Sequence, residues 1–545
     1  MFVKLMSELL LQYHKIHPAT WGYLSSLLTI GLFFKFNRLW SVRNFDLFLV
    51  ILLAPGLLLV QFASEERLEI RHRLLGAGHE VPPVGSVDDL IDGAFERIVS
   101  DRNGGDGADG PVVGGADRGA RSQLAETKAG EIGQTVAAEP SPISVDGLEW
   151  RFARAVINER YGYYWLFGVG AVLLARLLLD PTMVRRPLLE PNLSTGGLAF
   201  LGLSLFVFLM ANIITSTPTR DDLEGPRSAV QLLARHDVGD HGNSLRRHGP
   251  SYAILSILPS IPTIAGDRAA SGAEVSGDAG ASGDASSYVT AAKAMAIAAH
   301  LATIIGIVLI GYRHFGNVQT GIGVAAFYLM LPYTAVMTGR VDHALPAALT
   351  VWAVVCYRQP LLAGMCIGLA AGVVYYPLFL LPLWLSFYWR RGLTRFAASV
   401  VAMLLLMVLS LALVSADMQS FAEKVRVMFG IFRPRTVGLE GIWGLGWDSV
   451  YRIPVLALFV TLSLTLALWP AQKNLGTLLS CSAAVMVSIQ FWHGFGGGLY
   501  MAWYLPLLLL TVFRPNLEDR VALSVLGEGW FRNSRRAIRT LDQAA

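Results

Sequence analysis

The sequence predicts an all-α protein, a polytopic bundle of transmembrane helices. Two observations predict it. Of 545 residues, 53% are hydrophobic and only 15% charged, where an ordinary soluble domain carries roughly 25% charge. Apolar windows of about 14 to 22 residues also recur from Trp21 to Phe513, and a helix needs roughly 20 residues to span hydrocarbon, fewer when its end residues snorkel. A single secretory leader does not produce such a series. The net charge of +4 is spread out, with no basic stripe interleaved with aromatics, which argues against nucleic-acid binding. Cys356, Cys366 and Cys481 all fall in apolar segments, where they read as packing residues and give neither a disulfide framework nor a metal site.

In chain order the spans are expected at 21–34, 45–62, 161–178, 196–214, 290–311, 318–337, 344–357, 361–374, 375–389, 396–414, 452–469, 475–492 and 499–513, about thirteen in all. They divide the chain into an N-terminal membrane module of two spans (1–63), an external and largely disordered loop (64–150), a third span with a cytoplasmic linker (151–195), a transmembrane core (196–513) and a cytoplasmic tail (514–545). Within the loop, "SVDDLIDGAFERIVS" at 86–100 allows a short amphipathic helix. Residues 64–150 and 266–288 are rich in Gly, Ala, Ser and Asp, so neither offsets its ordering entropy with a core.

Orientation follows from Lys and Arg in short loops. Lys35, Arg38, Arg43, Arg185, Arg186, Arg313, Arg358, Arg390, Arg391, Arg395, Arg535, Arg536 and Arg539 share one side if 252–264 dips in without crossing. That side is expected to be cytoplasmic, which makes this a multi-pass protein of the cytoplasmic membrane. The suggestive polar residues then collect on the external face.

There "RDDLEGPRSA" places Asp221 and Asp222 directly after a span. Low dielectric raises a carboxylate's pKa and favours a general base; the alternative is acids capping a short helix with Pro226 in its first turn. "HGPSYAILSILPSIP" carries Pro250, Pro259 and Pro262, which suits a re-entrant element lining a cavity or a kinked span. In "TGRVDHALP", Asp342 caps a helix, or Arg340 grips a phosphate oxygen with its planar fork while Asp342 orients a sugar hydroxyl or the catalytic loop, the three residues with His343 rimming one outward cavity. Arg433 and Arg435 flank a proline in a loop whose Trp443 and Trp447 either anchor at headgroup level or stack on sugar rings. His493 precedes a glycine run that permits a tight turn, and is either a solvated interface residue or a ligand-binding one.

The order of these pieces resembles the GT-C superfamily of membrane glycosyltransferases, and most the branch that uses polyprenol-phosphate-mannose. The similarity runs over about 196–513. It includes the acid loop after span 196–214, "PRSAVQLLAR", the Pro-rich "HGPSYAILSILPSIP", the stretch 325–392 with "YYPLFLLPL", and the ending "YMAWYLPLLLL". Where that family often has a lysine ahead of the tyrosine pair, this chain has Gly372, Val373 and Val374. The resemblance implies a GT-C-like core whose external loops form the site, and transfer of a mannose-like hexose from a polyprenyl-phosphate donor to a lipid or glycan acceptor. Asp221 or Asp222 would be the base, and Arg340, Asp342, His343, Arg433, Arg435, Tyr375, Tyr376 and His493 would bind substrate. Neither a cofactor nor a metal is called for. The rival readings are a transporter or lipid flippase, for which ionisable residues inside spans, such as His300, would be the mark, and an inactive glycosyltransferase-like scaffold.

Overall fold

The computed structural model describes residues 16–79, 81, 145–183, 191–234, 248–271, 279–415, 417–431, 439–471 and 473–515. Apart from an isolated parallel bridge between Glu440 and Phe495, its elements are all helical. They are α1 (Pro18–Phe33), α2 (Val42–Gly76), α3 (Val145–Leu179), α4 (Thr195–Thr215), α5 (Arg220–Ala234), α6 (Pro250–Ser271), α7 (Ala279–Arg313), α8 (Val318–Met330), α9 (Pro332–Val336), α10 (Val341–Val355), α11 (Pro360–Val373), α12 (Leu381–Tyr388), α13 (Leu393–Val414), α14 (Met418–Met428), α15 (Arg452–Leu468), α16 (Leu475–Trp492) and α17 (Leu505–Phe513).

Every span expected from sequence contains a helix. Seven of them (α2, α3, α4, α7, α13, α15 and α16) are long and apolar enough to cross a bilayer; the other six expected spans fall on shorter helices. The long helices reach further than the sequence suggested. α2 runs on to Gly76 and α3 begins at Val145, taking in both ends of the expected 64–150 loop, while α6 and α7 take in the ends of 266–288. The 86–100 segment lies outside the described residues.

The chain forms two compact units. The smaller, Leu59–Tyr163 with Gly444–Gly446, is a helical hairpin made from the end of α2 and the start of α3. Ile70, Leu74, Phe152, Ala153 and Val156 are buried in it. Arg67 pairs with the buried Glu159 at 2.7 Å and Arg151 with Glu66 at 3.2 Å, and Arg160 Nε donates to Leu445 O.

The larger unit holds the bundle. Helix α11 presents Gly364, Gly368 and Gly372 at four-residue spacing. A Cβ on Gly364 would come 2.7 Å from Phe396 O, and one on Gly368 2.7 Å from Met403 Cβ, so small residues let α11 and α13 approach backbone to backbone. α7 and α8 cross the same way, where a Cβ on Gly311 would lie 2.4 Å from Gly321 Cα.

The Pro-rich segment forms one helix, which fits either the re-entrant or the kinked-span reading. α6 stays helical through Pro259 and Pro262. Pro250 is its first residue, where no donor is needed. The helix packs against α5, α7, α11 and α13, and this packing supports a backbone that lacks two donors.

Buried charge inside the bundle is paired. Arg176 meets Asp46 at 2.7 Å and Asp180 at 3.0 Å, and Asp180 meets Arg514 at 2.7 Å. Asp180 is fully buried. Removing one partner of such a chain strands a charge in low dielectric, at a cost of about 3–5 kcal/mol. Asp180→Ala is therefore expected to lower the thermal unfolding temperature in detergent sharply, while Asp180→Leu combined with Arg514→Met recovers most of the loss.

Candidate functional site

Four loops and helix ends meet at one end of the larger unit. The first is the turn into α5. Thr219 precedes the helix and Asp222 reaches back to it, taking Thr219 N–H at 3.0 Å and Thr219 Oγ1–H at 2.6 Å on Oδ2, one half of a capping box. Asp222 Oδ1 accepts from Val341 N at 3.2 Å. Its carboxylate thus joins the first turn of α5 to the first turn of α10. Burial raises its pKa, the nearby Asp342 raises it further, and Arg340 opposes both. The helix starts at Arg220, so both acids lie in its first turn and do not precede it as caps, and Pro226 lies further inside than the first turn expected from sequence.

Arg340 stands between the two turns. Its Nε and Nη2 donate to Asp342 Oδ1 and Oδ2 at 3.1 and 3.0 Å, and Nη2 reaches Asp221 Oδ2 at 3.5 Å. This is the bidentate fork that arginine geometry favours. Asp342 therefore does not cap α10: the N-cap is Arg340, and Asp342 sits in the first turn, where the helix dipole favours a carboxylate. Asp342 and the other carboxylates hold the charge on Arg340 against burial, raising its pKa. His343 Nδ1 meets Tyr333 Oη at 2.6 Å. The buried His300 meets Thr338 O at 3.0 Å and Tyr328 Oη at 3.2 Å, bracing the same turn from inside the bundle.

The third contributor is the start of α6. His248 Nδ1 lies 3.2 Å from Glu224 Oε2, and its Nε2 lies 3.9 Å from Asp342 Oδ2. Gly249 N donates to Val373 O at 2.8 Å, and a Cβ on Gly249 would sit 2.3 Å from Gly372 O, so only glycine lets the two segments touch. Burial works against the His248 charge, but Asp342 and Glu224 outweigh it and lift its pKa to about 9.

The fourth is the turn after α16. Gln490 Oε1 accepts from Gly498 N at 3.1 Å and Tyr500 N at 3.2 Å, which closes the glycine run. Phe495 N donates to His493 Nδ1 at 3.2 Å, and Arg452 donates to Trp492 O at 3.0 Å. Burial, then Arg452, pushes His493 down to about 3. It is a neutral, buried imidazole, not a solvated one. Trp443 Nε1 donates to Phe491 O and Trp447 Nε1 to Tyr164 Oη, so both tryptophans hold the fold together here.

These pieces enclose a cavity of about 40 Å³ lined by His248, Asp342, Val374, Tyr375, Tyr376, Val427, His493, Phe495, Tyr500 and Trp503. It takes a few waters. The rings form a continuous wall: Tyr376 lies 4.9 Å from His493 and 5.2 Å from Trp503, and Tyr500 lies 4.5 Å from both His493 and Trp503.

Of the residues singled out from sequence, Asp221, Asp222, Arg340, Asp342, His343, Tyr375, Tyr376 and His493 come together here. Arg433 and Arg435 lie outside the described residues. Sequence reasoning missed His248, Glu224, Gln490, Tyr500 and Trp503; the one available signal was a histidine directly before Gly-Pro at the head of an apolar run. Among the described residues no three His, Cys, Asp or Glu side chains are grouped to hold a metal ion.

Two outcomes follow from these bonds. Asp222→Ala leaves Thr219 N and Val341 N without their acceptor and is expected to cost roughly 2 kcal/mol or more, read as a drop in thermal stability with both acid-bearing turns loosened. His248, raised from 6.5 to about 9, contributes its full stabilisation below pH 6.5 and loses it as pH rises to 9, a difference of about 3 kcal/mol. The gap in unfolding temperature between wild type and His248→Gln should narrow over that window. Comparison with protein families, curated proteins and solved structures finds no match to this chain, so the side chains alone carry the functional reading.

Proposed function

We propose that this protein is a membrane glycosyltransferase that moves a mannose-like hexose from a polyprenyl-phosphate donor to a lipid or glycan acceptor. The observation that carries the reading is the meeting of the Asp221/Asp222 turn and the Arg340–His343 turn, beside an aromatic cavity at one end of an apolar bundle. The charge of the short loops puts that end outside the cytoplasmic membrane.

The two acids divide the work. Asp222 is 3% exposed and accepts three hydrogen bonds, the profile of a structural carboxylate. The Asp221 side chain is 26% exposed beside Arg340 and is the one an acceptor can reach. Asp221 takes the proton from the acceptor hydroxyl as that oxygen bonds to the anomeric carbon. The bond from that carbon to the phosphate oxygen breaks, through a transition state of oxocarbenium character, and the lipid phosphate leaves with the electron pair. Arg340 is committed to Asp342 and Asp221, so the cationic counterpart of that leaving group is assigned to Arg433 and Arg435. A whole sugar ring exceeds the present cavity of about 40 Å³, so its entry requires the lining to move apart.

The test is transfer of radiolabelled sugar from polyprenyl-phosphate-mannose and polyprenyl-phosphate-glucose to a membrane lipid extract by the purified protein. Asp221→Ala should lower turnover by about 100-fold or more while unfolding like wild type. Folded wild type that binds lipid phosphate but transfers from neither donor would refute the proposal and favour the flippase or the inactive scaffold.

A further inference from the structure

His248 is 5% exposed and lines the cavity. Its Nδ1 is engaged by Glu224 Oε2 at 3.2 Å, and among the described residues the acceptor that faces its Nε2 is Asp342 Oδ2 at 3.9 Å, beyond hydrogen-bond reach. The two groups are an ion pair with a gap between them, and both residues line the cavity, so an oxygen entering from the cavity can bond to both.

Both groups are held in place. His248 packs against Tyr252, with the rings tilted at 41° and their centroids 4.7 Å apart, and its neighbour Gly249 is bonded to Val373. Asp342 is fixed by the Arg340 fork. One oxygen about 2.8 Å from each would accept from Nε2 and donate to Oδ2. That oxygen must belong to a neutral O–H. A phosphate or carboxylate there would face Asp342, and an ammonium would face the protonated imidazole. His493 stays neutral and Tyr376 and Trp503 add apolar ring faces, which suits the C–H face of a saturated ring.

We propose that His248 Nε2 and Asp342 Oδ2 form a pair that reads one hydroxyl of a neutral, polyhydroxylated ring, and so sets which sugar the cavity accepts. The ring's being a sugar rests on the glycosyltransferase reading; the donor–acceptor pair does not.

The test is binding, not turnover: methyl hexosides of the manno, gluco and galacto series, their monodeoxy analogues and the corresponding amino sugars are titrated against the full chain in nanodiscs, followed by saturation-transfer NMR. One monodeoxy position in the best-binding series should weaken binding at least about tenfold, and the amino sugar at that position should bind no better. His248→Leu should bind the hexoside and that deoxy analogue equally, and His248→Gln, whose amide still donates, should restore part of the preference. A His248→Leu profile unchanged from wild type, tighter binding of the amino sugar, or no hexoside binding by folded protein would each overturn the pair. Selective binding without transfer from any polyprenyl-phosphate sugar would leave the pair standing and remove the glycosyltransferase; transfer with a flat deoxy profile would do the reverse.

Discussion

The candidate site depends on one buried carboxylate. Asp222 accepts from Thr219 twice and from Val341 once, which fastens together two helix starts 119 residues apart in sequence. A carboxylate out of water is costly unless donors replace its hydration, and three donors do so here. The same contacts place Arg340 between Asp221 and Asp342. Without that fastening, the arginine fork would have one fixed partner, and Asp221 would sit on a turn free to move away from the cavity.

The bundle treats charge differently at its two ends. α16 has 18 residues and so spans about 27 Å. At its start, Gly476 lies against Arg514, the last link in the alternating chain of Asp46, Arg176, Asp180 and Arg514. At its end are His493 and the cavity. In the chain each charge has an opposite neighbour at salt-bridge distance, an arrangement that holds helices in place. At the cavity the charges are paired as well, but around an open space: His248 Nε2 and Asp342 Oδ2 lie 3.9 Å apart and both residues line the cavity.

Much of the fold was legible because lipid imposes a simple rule: apolar runs become helices. Hydropathy does not see what continues a helix beyond lipid. The polar stretch 64–76 reads as a loop until Arg67 meets Glu159 and Glu66 meets Arg151, contacts distant in sequence, while Ile70 and Leu74 become buried. The α6 prolines do not break the helix, since a helix packed on several sides tolerates lost donors that an isolated one does not. In the site, Asp221, Asp222, Arg340, Asp342 and His343 stood out as ionisable residues at the ends of apolar runs. Glu224, His248, Gln490, Tyr500 and Trp503 did not, because each acquires its role from a partner on another element. Nothing near residue 248 announces Asp342, and nothing near Gln490 shows that its carbonyl will close a glycine turn.

Charge balance bears on how a lipid-phosphate sugar would lie. Within the contacting cluster, Asp221, Asp222, Glu224 and Asp342 face two cations, Arg340 and His248. Burial and Asp342 both raise the Asp222 pKa, which eases this excess of carboxylates without reversing it. A phosphate brought against the α5 acids would add like charge in low dielectric, where repulsion is strong. On the glycosyltransferase reading the donor therefore points its sugar toward His248 and Asp342 and keeps its phosphate on the far side of the aromatic wall. Charge compensation there must come from a different segment. Arg433 and Arg435, expected from sequence to meet the phosphate, follow Val427 of the cavity lining by six and eight residues along the chain. The acids would then hold the acceptor and the neutral ring while the arginines hold the leaving group, which separates the two charges that the reaction must keep apart.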